Sequence, residues 1–334
     1  MERRDALELD VYGLRARVTG DWADVVGDLR RDFWWFRTDA TSAPALHVSI
    51  EQRAPEFDRF GALPAAFVTP RNVVYQGTGS TVVDYFGRAV LVIDRRGGPV
   101  VVQGEDPHLV REAANNFLIS RIGEHLNARG LVRLHALGLA GADGAVAIVM
   151  PSGGGKSTLA LRAIETDDCK VLSEDSPLLD RHGMVHPFPL RIGVNPTDAH
   201  HIPAGHTVRT LERIEFHPKL ALDVESYADR IEEAPQPLHH LVIGRRTLDR
   251  TGRLEALGHV QSVGPLVREA VVGVGVYQGM EFVLQRGWSD VVGKSGTAVR
   301  RALIVGAAVQ RARVWRLWVG RDRESNWDAL RRLL

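Results

Sequence analysis

The sequence is poor in cysteine and in lysine, and both shortages narrow what the protein can be. Cys169 is the only cysteine among 334 residues, so neither an intrachain disulfide nor a zinc site built on cysteines can form. Lysine occurs only at Lys156, Lys170, Lys219 and Lys294, and arginine supplies the rest of the positive charge. Lys156 therefore stands out, because it lies inside the most informative motif of the chain.

A strong net charge and long apolar runs are also lacking. The formal net charge is +1, which argues against non-specific binding to nucleic acid because such binding needs a basic surface. No apolar stretch approaches the ~20 residues needed to cross a bilayer, and the first residues lack the apolar run of a signal peptide. These absences predict a soluble, cytoplasmic protein with neither nucleic acid nor membrane as a partner.

Two regions of different pattern divide the chain. Residues 1–105 predict a small α+β domain, accessory or substrate-recruiting, with one amphipathic helix over Asp21–Trp34 and a loop over Ala54–Pro70. Residues 106–334 open with a helix over Pro107–Arg129 and continue as an α/β domain. The glycines of 273–279 have the wrong spacing for a dinucleotide fingerprint and predict a loop or a helix–loop transition. The predicted strands are Leu7–Val18, Ala45–Ile50, Thr81–Phe86, Ala89–Asp94, Pro99–Gln103, Val132–Ala140, Ala145–Val149, Lys170–Ser173, Leu238–Gly244 and Arg313–Val319, and a last helix is predicted over Trp327–Leu334.

Residues 150–158 read M-P-S-G-G-G-K-S-T, which departs from the phosphate-loop pattern G-x-x-x-x-G-K-[ST] only at the first position. Glycines let successive N–H groups turn toward phosphate oxygens, and a helix beginning there directs its positive end at the anion. The lysine then reaches the outer phosphates and the next hydroxyl meets Mg²⁺. The predicted ATP-binding residues are Ser152, Gly153, Gly154, Gly155, Lys156, Ser157 and Thr158.

Met150 stands where the pattern has its first glycine. It follows the buried-type strand Ala145–Val149, and Gly153 with Gly154 can absorb the turning that the missing glycine would have eased. The alternative is a glycine-rich turn without function. It is disfavoured because strand, loop and helix follow one another in the order that a nucleotide site requires.

Two acids and a histidine flank this loop. Glu174 and Asp175 end the strand that follows the loop helix, and ligands of open α/β sheets bind at the carboxyl ends of strands. One carboxylate can hold Mg²⁺ while the other takes the proton of an attacking hydroxyl, although a solvated turn is the alternative. His135 precedes Lys156 by 21 positions; the alternative for it is an ordinary core histidine.

Together these features resemble the HPr kinase/phosphorylase superfamily, in particular HPr kinase-related proteins that include lasso-peptide kinases. The shared motifs are R-x-H-A at 133–136, the loop, L-S-E-D at 172–175 and P-F-P-L-R at 187–191. The resemblance implies a P-loop HPr-kinase/PEP-carboxykinase-like C-terminal domain. It also implies Glu174 as general base, Asp175 with Ser157 on the metal side, Lys156 on the phosphates and His135 as the active-site histidine.

The chain departs from that family in its partner-specific elements. The stretch from Pro189 to Gly193 lacks the signature that includes a metal-binding glutamate, and the Pro-Gly-Arg-Asn element of the dephosphorylating reaction is absent. Glu174 also stands where the family usually has aspartate, so the base is either Glu174, which we favour, or Asp175. Arg191 is a candidate to stabilise the transferring phosphoryl group, with structural pairing to an acid as the alternative.

The sequence thus predicts an ATP-dependent phosphotransferase that moves the γ-phosphoryl of ATP to a hydroxyl of a peptide or small protein. Serine is the favoured acceptor, as in peptide natural-product tailoring. A small-molecule kinase acting on an amino acid or sugar, and a regulatory module that binds nucleotide without transfer, stay open. A homo-oligomer is compatible with the sequence.

Overall fold

A computed structural model describes residues 5–40, 43–151, 153–212, 217–266 and 288–334, and within the last range it describes side chains from residue 296 onward. Ser152 and the glycine segment 273–279, on which two predictions rest, lie outside the described residues. The chain divides into two compact units. The first contains residues up to His125 with short later segments, and the second contains most of the chain from Leu126 onward. The structure is mixed α/β, with several sheets and helices.

The first unit contains one eight-stranded mixed sheet. Its strands are β1 (Asp5–Val11), β2 (Leu14–Gly20), β3 (Leu46–Gln52), β4 (Ala65–Val68), β5 (Val73–Gln76), β6 (Ser80–Asp84), β7 (Ala89–Asp94) and β8 (Val100–Gly104). The order across the sheet is β1-β2-β3-β8-β7-β6-β5-β4, with β3 parallel to both of its neighbours. Helix α1 (Ala23–Asp32) buries Val25, Val26 and Leu29, apolar residues that share one face at helical spacing. Helix α2 (Pro107–Ala128) follows β8.

The second unit contains a nine-stranded sheet and a separate three-stranded sheet. The larger sheet contains β9 (Val132–Arg133), β10 (Ala136–Gly141), β11 (Gly144–Val149), β12 (Lys170–Ser173), β13 (Leu178–Leu179), β14 (Met184–His186), β18 (Gln236–Arg246), β19 (Arg253–Ala256) and β20 (Arg313–Val319). The smaller sheet has the order β15 (Ile192–Val194), β17 (Lys219–Leu222), β16 (Val208–Leu211). The helices among the unit's described residues are α3 (Lys156–Glu165), α4 (His259–Leu266), α5 (Trp288–Arg311), which belongs to this unit from residue 293 onward, and α6 (Arg323–Leu330).

Strand direction in the larger sheet determines where the loop and the acids lie. Strands β11 and β18 are parallel, as are β18 and β20. Strand β10 is antiparallel to both β11 and β12, so β12 runs in the same direction as β11 with β10 between them. The carboxyl ends of β11, β12, β18 and β20 therefore meet at one edge, where ligands of such sheets bind.

One apolar core joins helix α5 to this sheet. Ile304, Val305 and Ala308 of α5 belong to the same buried cluster as Val132 and Leu134 at the β9 end of the sheet. Burial of such side chains is the main favourable contribution to folding, at roughly 1.5–3 kcal/mol for each large aliphatic residue. No helix among the described residues has the length and apolar character needed to cross a membrane.

Several predicted elements differ from the observed ones. The strands predicted at Lys170–Ser173 and Arg313–Val319 have the observed bounds, but the strand predicted over Val132–Ala140 is wrong because it breaks into β9 and β10. The region Ala54–Pro70 is not loop throughout, since it contains β4, and β5 was not predicted. The last helix begins earlier than predicted, at Arg323, because Asp322 caps it by accepting from the Ser325 N–H.

Candidate functional site

The loop after β11 turns through glycines that other residues could not replace without strain. Gly153 has a φ of 74° and Gly155 a φ of 112°, both in the left-handed region. The Gly154 N–H donates to the Pro151 carbonyl at 2.9 Å, and a Cβ on Gly154 would lie 2.8 Å from that oxygen. Helix α3 begins directly afterwards at Lys156, so its positive end faces the loop.

Met150 occupies space that a glycine on the next strand leaves open. Its side chain is 1% exposed and packs against Gly244 of β18, where an added Cβ would collide with the methionine. The Met150 carbonyl also accepts a hydrogen bond from Lys156 Nζ at 2.9 Å. The missing first glycine of the motif is therefore accommodated by a glycine on a different strand, as well as by the turning at Gly153.

Lys156 carries a buried ammonium with three polar neighbours. It is 7% exposed, and its Nζ lies 2.8 Å from His135 Nε2 and 3.8 Å from Asp175 Oδ1, in addition to the Met150 carbonyl. The same His135 Nε2 lies 3.0 Å from Asp175 Oδ1. One ring nitrogen cannot at once accept from the lysine and donate to the carboxylate, so the protonation of His135 determines which neighbour it binds.

The interruption between strands β9 and β10 positions His135. It lies between β9 and β10, where the Ala136 N–H is 2.9 Å from the Leu134 carbonyl and 3.3 Å from the Asp175 carbonyl. Because β10 is antiparallel to its neighbours, its amino end lies at the edge where β11 and β12 have their carboxyl ends. His135 thus stands between the loop and the acidic pair.

Glu174 faces the first turn of α3. Ser157 Oγ donates to Glu174 Oε1 at 2.8 Å. Burial, followed by the negative charge of Asp175, raises the pKa of Glu174 to about 7, against the opposing effects of the Ser157 hydrogen bond and the charges of Lys156 and Lys219. A carboxyl that titrates near neutral pH can both accept and release a proton under physiological conditions.

Lys219 and Tyr227 are further neighbours of this site, and neither was predicted from the sequence. The Lys219 chain passes over Gly193, where an added Cβ would lie 3.4 Å from Lys219 Cδ, and its charge acts on Glu174. The buried Tyr227 hydroxyl donates to the Leu190 carbonyl at 2.6 Å, and burial together with the charge of Glu174 raises its pKa. The rarity of lysine was the one available signal for Lys219; Tyr227 had none.

The side chains present fit a polyphosphate and a hard cation. A left-handed glycine loop at a helix start, with a buried ammonium, suits phosphate oxygens. The Ser157 hydroxyl and Glu174 carboxyl, 2.8 Å apart, are oxygen ligands of the kind that Mg²⁺ prefers. Among the described residues, no three His, Cys, Asp or Glu side chains form a metal-binding group by themselves.

The remaining predicted site residues are placed as follows. Thr158 is partly buried in the first turn of α3, and Arg191 immediately precedes β15, a strand that packs against α3. Ser157 contacts Glu174, whereas Asp175 faces His135 and Lys156, so the pairing of Ser157 with Asp175 at a metal stays a prediction.

The chemistry of the site follows from its own side chains. No protein-family model and no curated protein sequence matches the chain. What the site offers is an ammonium, an imidazole, two carboxyls and a hydroxyl around the start of one helix. Such a set can bind an anion and move a proton beside it.

Proposed function

We propose that the protein is an ATP-dependent phosphotransferase that phosphorylates a hydroxyl, with serine on a peptide or small protein as the favoured acceptor. The observation that carries this proposal is the cluster of Lys156 Nζ, His135 Nε2 and Asp175 Oδ1, all within 3.8 Å of one another at the start of α3. Phosphoryl transfer depends mainly on positioning and charge stabilisation, and this cluster supplies both beside the glycine loop.

The proposed reaction joins the acceptor oxygen to the γ-phosphorus of ATP and breaks the bond from that phosphorus to the bridging oxygen, releasing ADP. Lys156 neutralises charge on the phosphates, and the N–H groups of the loop bind their oxygens. Glu174 takes the proton that the acceptor hydroxyl loses, a role that suits its pKa of about 7. Mg²⁺, bound at the Ser157 hydroxyl, would offset further phosphate charge.

Asp175 and His135 act on Lys156 in this scheme. In the protein without substrate, the Lys156 ammonium is bound by the Met150 carbonyl and lies beside His135. When phosphate takes over the Lys156 ammonium, His135 Nε2 no longer accepts from it, and after gaining a proton from solvent the same nitrogen can donate to Asp175. Asp175 is therefore proposed to hold the histidine in the reactive arrangement.

The proposal extends to the architecture. We assign the second unit to an HPr-kinase/PEP-carboxykinase-like P-loop domain, on the support of the glycine loop, the acidic pair at the end of β12 and His135 before β10. The first unit is proposed to recruit the acceptor. The missing partner signature at 189–193 argues that this acceptor is not HPr.

The test is transfer of label from γ-labelled ATP, with Mg²⁺, to a panel of serine-containing peptides, free amino acids and sugars, each incubated with the full chain. Glu174→Gln is expected to lower the single-turnover rate at least ~100-fold while ATP binding stays near normal, because only proton transfer and charge are lost. Asp175→Asn is expected to weaken transfer less. The exposed Glu225→Gln serves as the matched control and should behave as the unaltered chain.

The outcomes separate the alternatives. If Asp175→Asn abolishes chemistry while Glu174→Gln does not, the two carboxylates exchange roles and the kinase proposal stands. Tight ATP binding without labelled peptide, amino acid or sugar would contradict phosphoryl transfer and favour the regulatory module. Label on free amino acids or sugars alone would instead identify a small-molecule kinase.

A further inference from the structure

A second group of buried cations lies near the candidate site. Arg133 is 4% exposed and Arg301 is 5% exposed, although arginine side chains are almost never fully buried unless they are paired. Burial, followed by the positive charge of Arg301, lowers the pKa of Arg133 to about 10, and the charge of Asp175 opposes this. Burial also lowers the pKa of Arg301. The two guanidiniums are therefore both desolvated, and the charge of Arg301 acts on Arg133.

The fold explains why residues so distant in sequence meet. Arg133 lies in β9, opposite Leu178 of β13 and two positions before His135. Arg301 lies in α5, three and four positions before Ile304 and Val305, which share the apolar core with the residues on either side of Arg133. Residues at that helical spacing lie on one face, so Arg301 lies on the face of α5 that carries this apolar core.

Arg301 brings a positive charge into a region that already holds others. Its Nε has no hydrogen-bond partner within the described part of the chain. Arg133 interacts with the same Asp175 carboxylate that lies 3.8 Å from the Lys156 ammonium, and that carboxylate is 44% exposed. Burying an additional cation beside like charges is unfavourable unless an anion compensates for it.

We propose that Arg133 and Arg301 form a binding site for an oxyanion, a carboxylate or a phosphate, carried by the phosphoryl acceptor. The planar guanidinium fork matches both groups and can bind either through two parallel hydrogen bonds. Arg133 is two positions before His135 and the charge of Asp175 acts on it, so an anion bound there would lie beside the proposed reacting groups. The assignment of the ligand to the phosphoryl acceptor rests on the proposed function, whereas the oxyanion site itself does not.

The test measures binding without ATP, so that it does not depend on transfer. Three capped peptides, acetyl-Gly-Ser-Xaa-Gly-amide with aspartate, phosphoserine or asparagine at Xaa, are titrated into the full chain by calorimetry. At least one anionic peptide is expected to bind about tenfold or more tightly than the asparagine peptide. Aspartate and phosphoserine distinguish the two oxyanions, and repeating the titrations with Lys156→Met separates binding at the glycine loop.

The neighbouring arginines of α5 give a matched pair of variants. Arg301→Met is expected to abolish the preference for the anionic peptide, whereas Arg300→Met, which removes the same charge from an exposed position, should keep it. Arg301→Lys retains the charge without the fork and should keep part of the preference. It also serves as the second variant if Arg301→Met does not fold.

Melting temperature provides an independent check. Without a bound anion, Arg301→Met is expected to melt no lower than the unaltered chain, because it removes a desolvated charge. A large drop in melting temperature would mean that Arg301 is neutralised within the chain, which overturns the proposal. Equal binding of all three peptides, or equal losses in Arg300→Met and Arg301→Met, would overturn it as well. A chain that binds the anionic peptide but never transfers label would refute only the kinase.

Discussion

Lys156 and Arg301 are both buried cations of the second unit, and their surroundings differ in kind. The Lys156 ammonium has a backbone carbonyl at 2.9 Å, an imidazole nitrogen at 2.8 Å and a carboxylate at 3.8 Å. Arg301 has Arg133 as its charged neighbour, and its Nε has no partner within the described ranges. Within the described residues, Lys156 is satisfied by the protein, whereas Arg301 has an Nε without a partner.

The difference indicates how each cation would respond to a ligand. Lys156 must exchange existing contacts for phosphate, so part of its attraction to the ligand replaces bonds that the protein already has. Arg301 would gain contacts without losing any that the described residues provide. A satisfied cation is suited to a group that changes partners during a reaction, and an unsatisfied cation to recognition of a fixed group.

The largest effect is expected from removing the satisfied cation. Lys156→Met should lower transfer by at least ~100-fold, because it removes the charge nearest the reacting phosphate. Lys170→Met is the matched control, since Lys170 is exposed at the start of β12, and it should leave the rate unchanged. Single-turnover kinetics with saturating ATP measure both. Equal rates for Lys156→Met and the unaltered chain would remove Lys156 from the reaction.

A smaller effect is expected from crowding the Met150 side chain. Gly244→Ala places a methyl group against the Met150 side chain and should destabilise the protein by about 1–3 kcal/mol, the usual range for overpacking. Denaturant unfolding measures this loss. Met150→Ala in the same chain should recover part of it, because the collision disappears. Gly306→Ala, with open space around its Cα, is the control and should not destabilise.

If the stability changes of Met150→Ala and Gly244→Ala were additive, the packing described for these two residues would be contradicted. Residues in contact give a coupling energy in a double-mutant cycle, whereas independent residues do not. The cycle therefore tests whether the glycine on β18 compensates for the methionine in the loop.

The smallest effect concerns pH and Glu174. Its pKa is about 7 in the folded protein and about 4.5 as the ordinary value, so the folded state binds the proton more tightly than the unfolded state. Stability is therefore greatest, for this group, below about pH 4.5 and falls as pH rises toward 7. Glu174→Gln should melt higher than the unaltered chain at pH 8 by up to several degrees, and the gap should shrink toward pH 5.

Melting curves across that pH range check the sign. A gap that widens toward low pH would mean that Glu174 is held ionised rather than neutral, contrary to the cause assigned to its pKa. The exposed Glu225→Gln should give a flat difference and so serves as the control.

Much of the site could be predicted from sequence because its parts lie in one short stretch. The spacing of His135, Lys156 and Glu174 along a strand–loop–helix–strand pattern placed them at one sheet edge, where the structure has them. The pattern could not predict that Gly244, on β18, makes room for Met150, since the register between strands is set by tertiary packing. The pattern also could not predict that the strand is interrupted at His135, because Leu134 and Ala136 continue the apolar run on either side.

The second group of cations was beyond local pattern for a similar reason. Arg133 belongs to the R-x-H-A motif, but nothing near it in sequence indicates that Arg301 would lie beside it. In a chain where arginine supplies almost all the positive charge, one more arginine on a helix is unremarkable until its burial is known. Lys219 differs in that the rarity of lysine could have marked it, and it acts on Glu174 from the smaller sheet.

The antiparallel course of β10 gives the second unit a remote attachment point. Gly141 and Gly144 pair at the tip of the β10–β11 hairpin, leaving Ala142 and Asp143 exposed there. Since β11 spans six residues, the tip lies roughly 20 Å from the loop at its other end. A fluorophore or surface tether at Asp143 would leave the opposite edge accessible, so ligand arrival could be followed on single immobilised molecules.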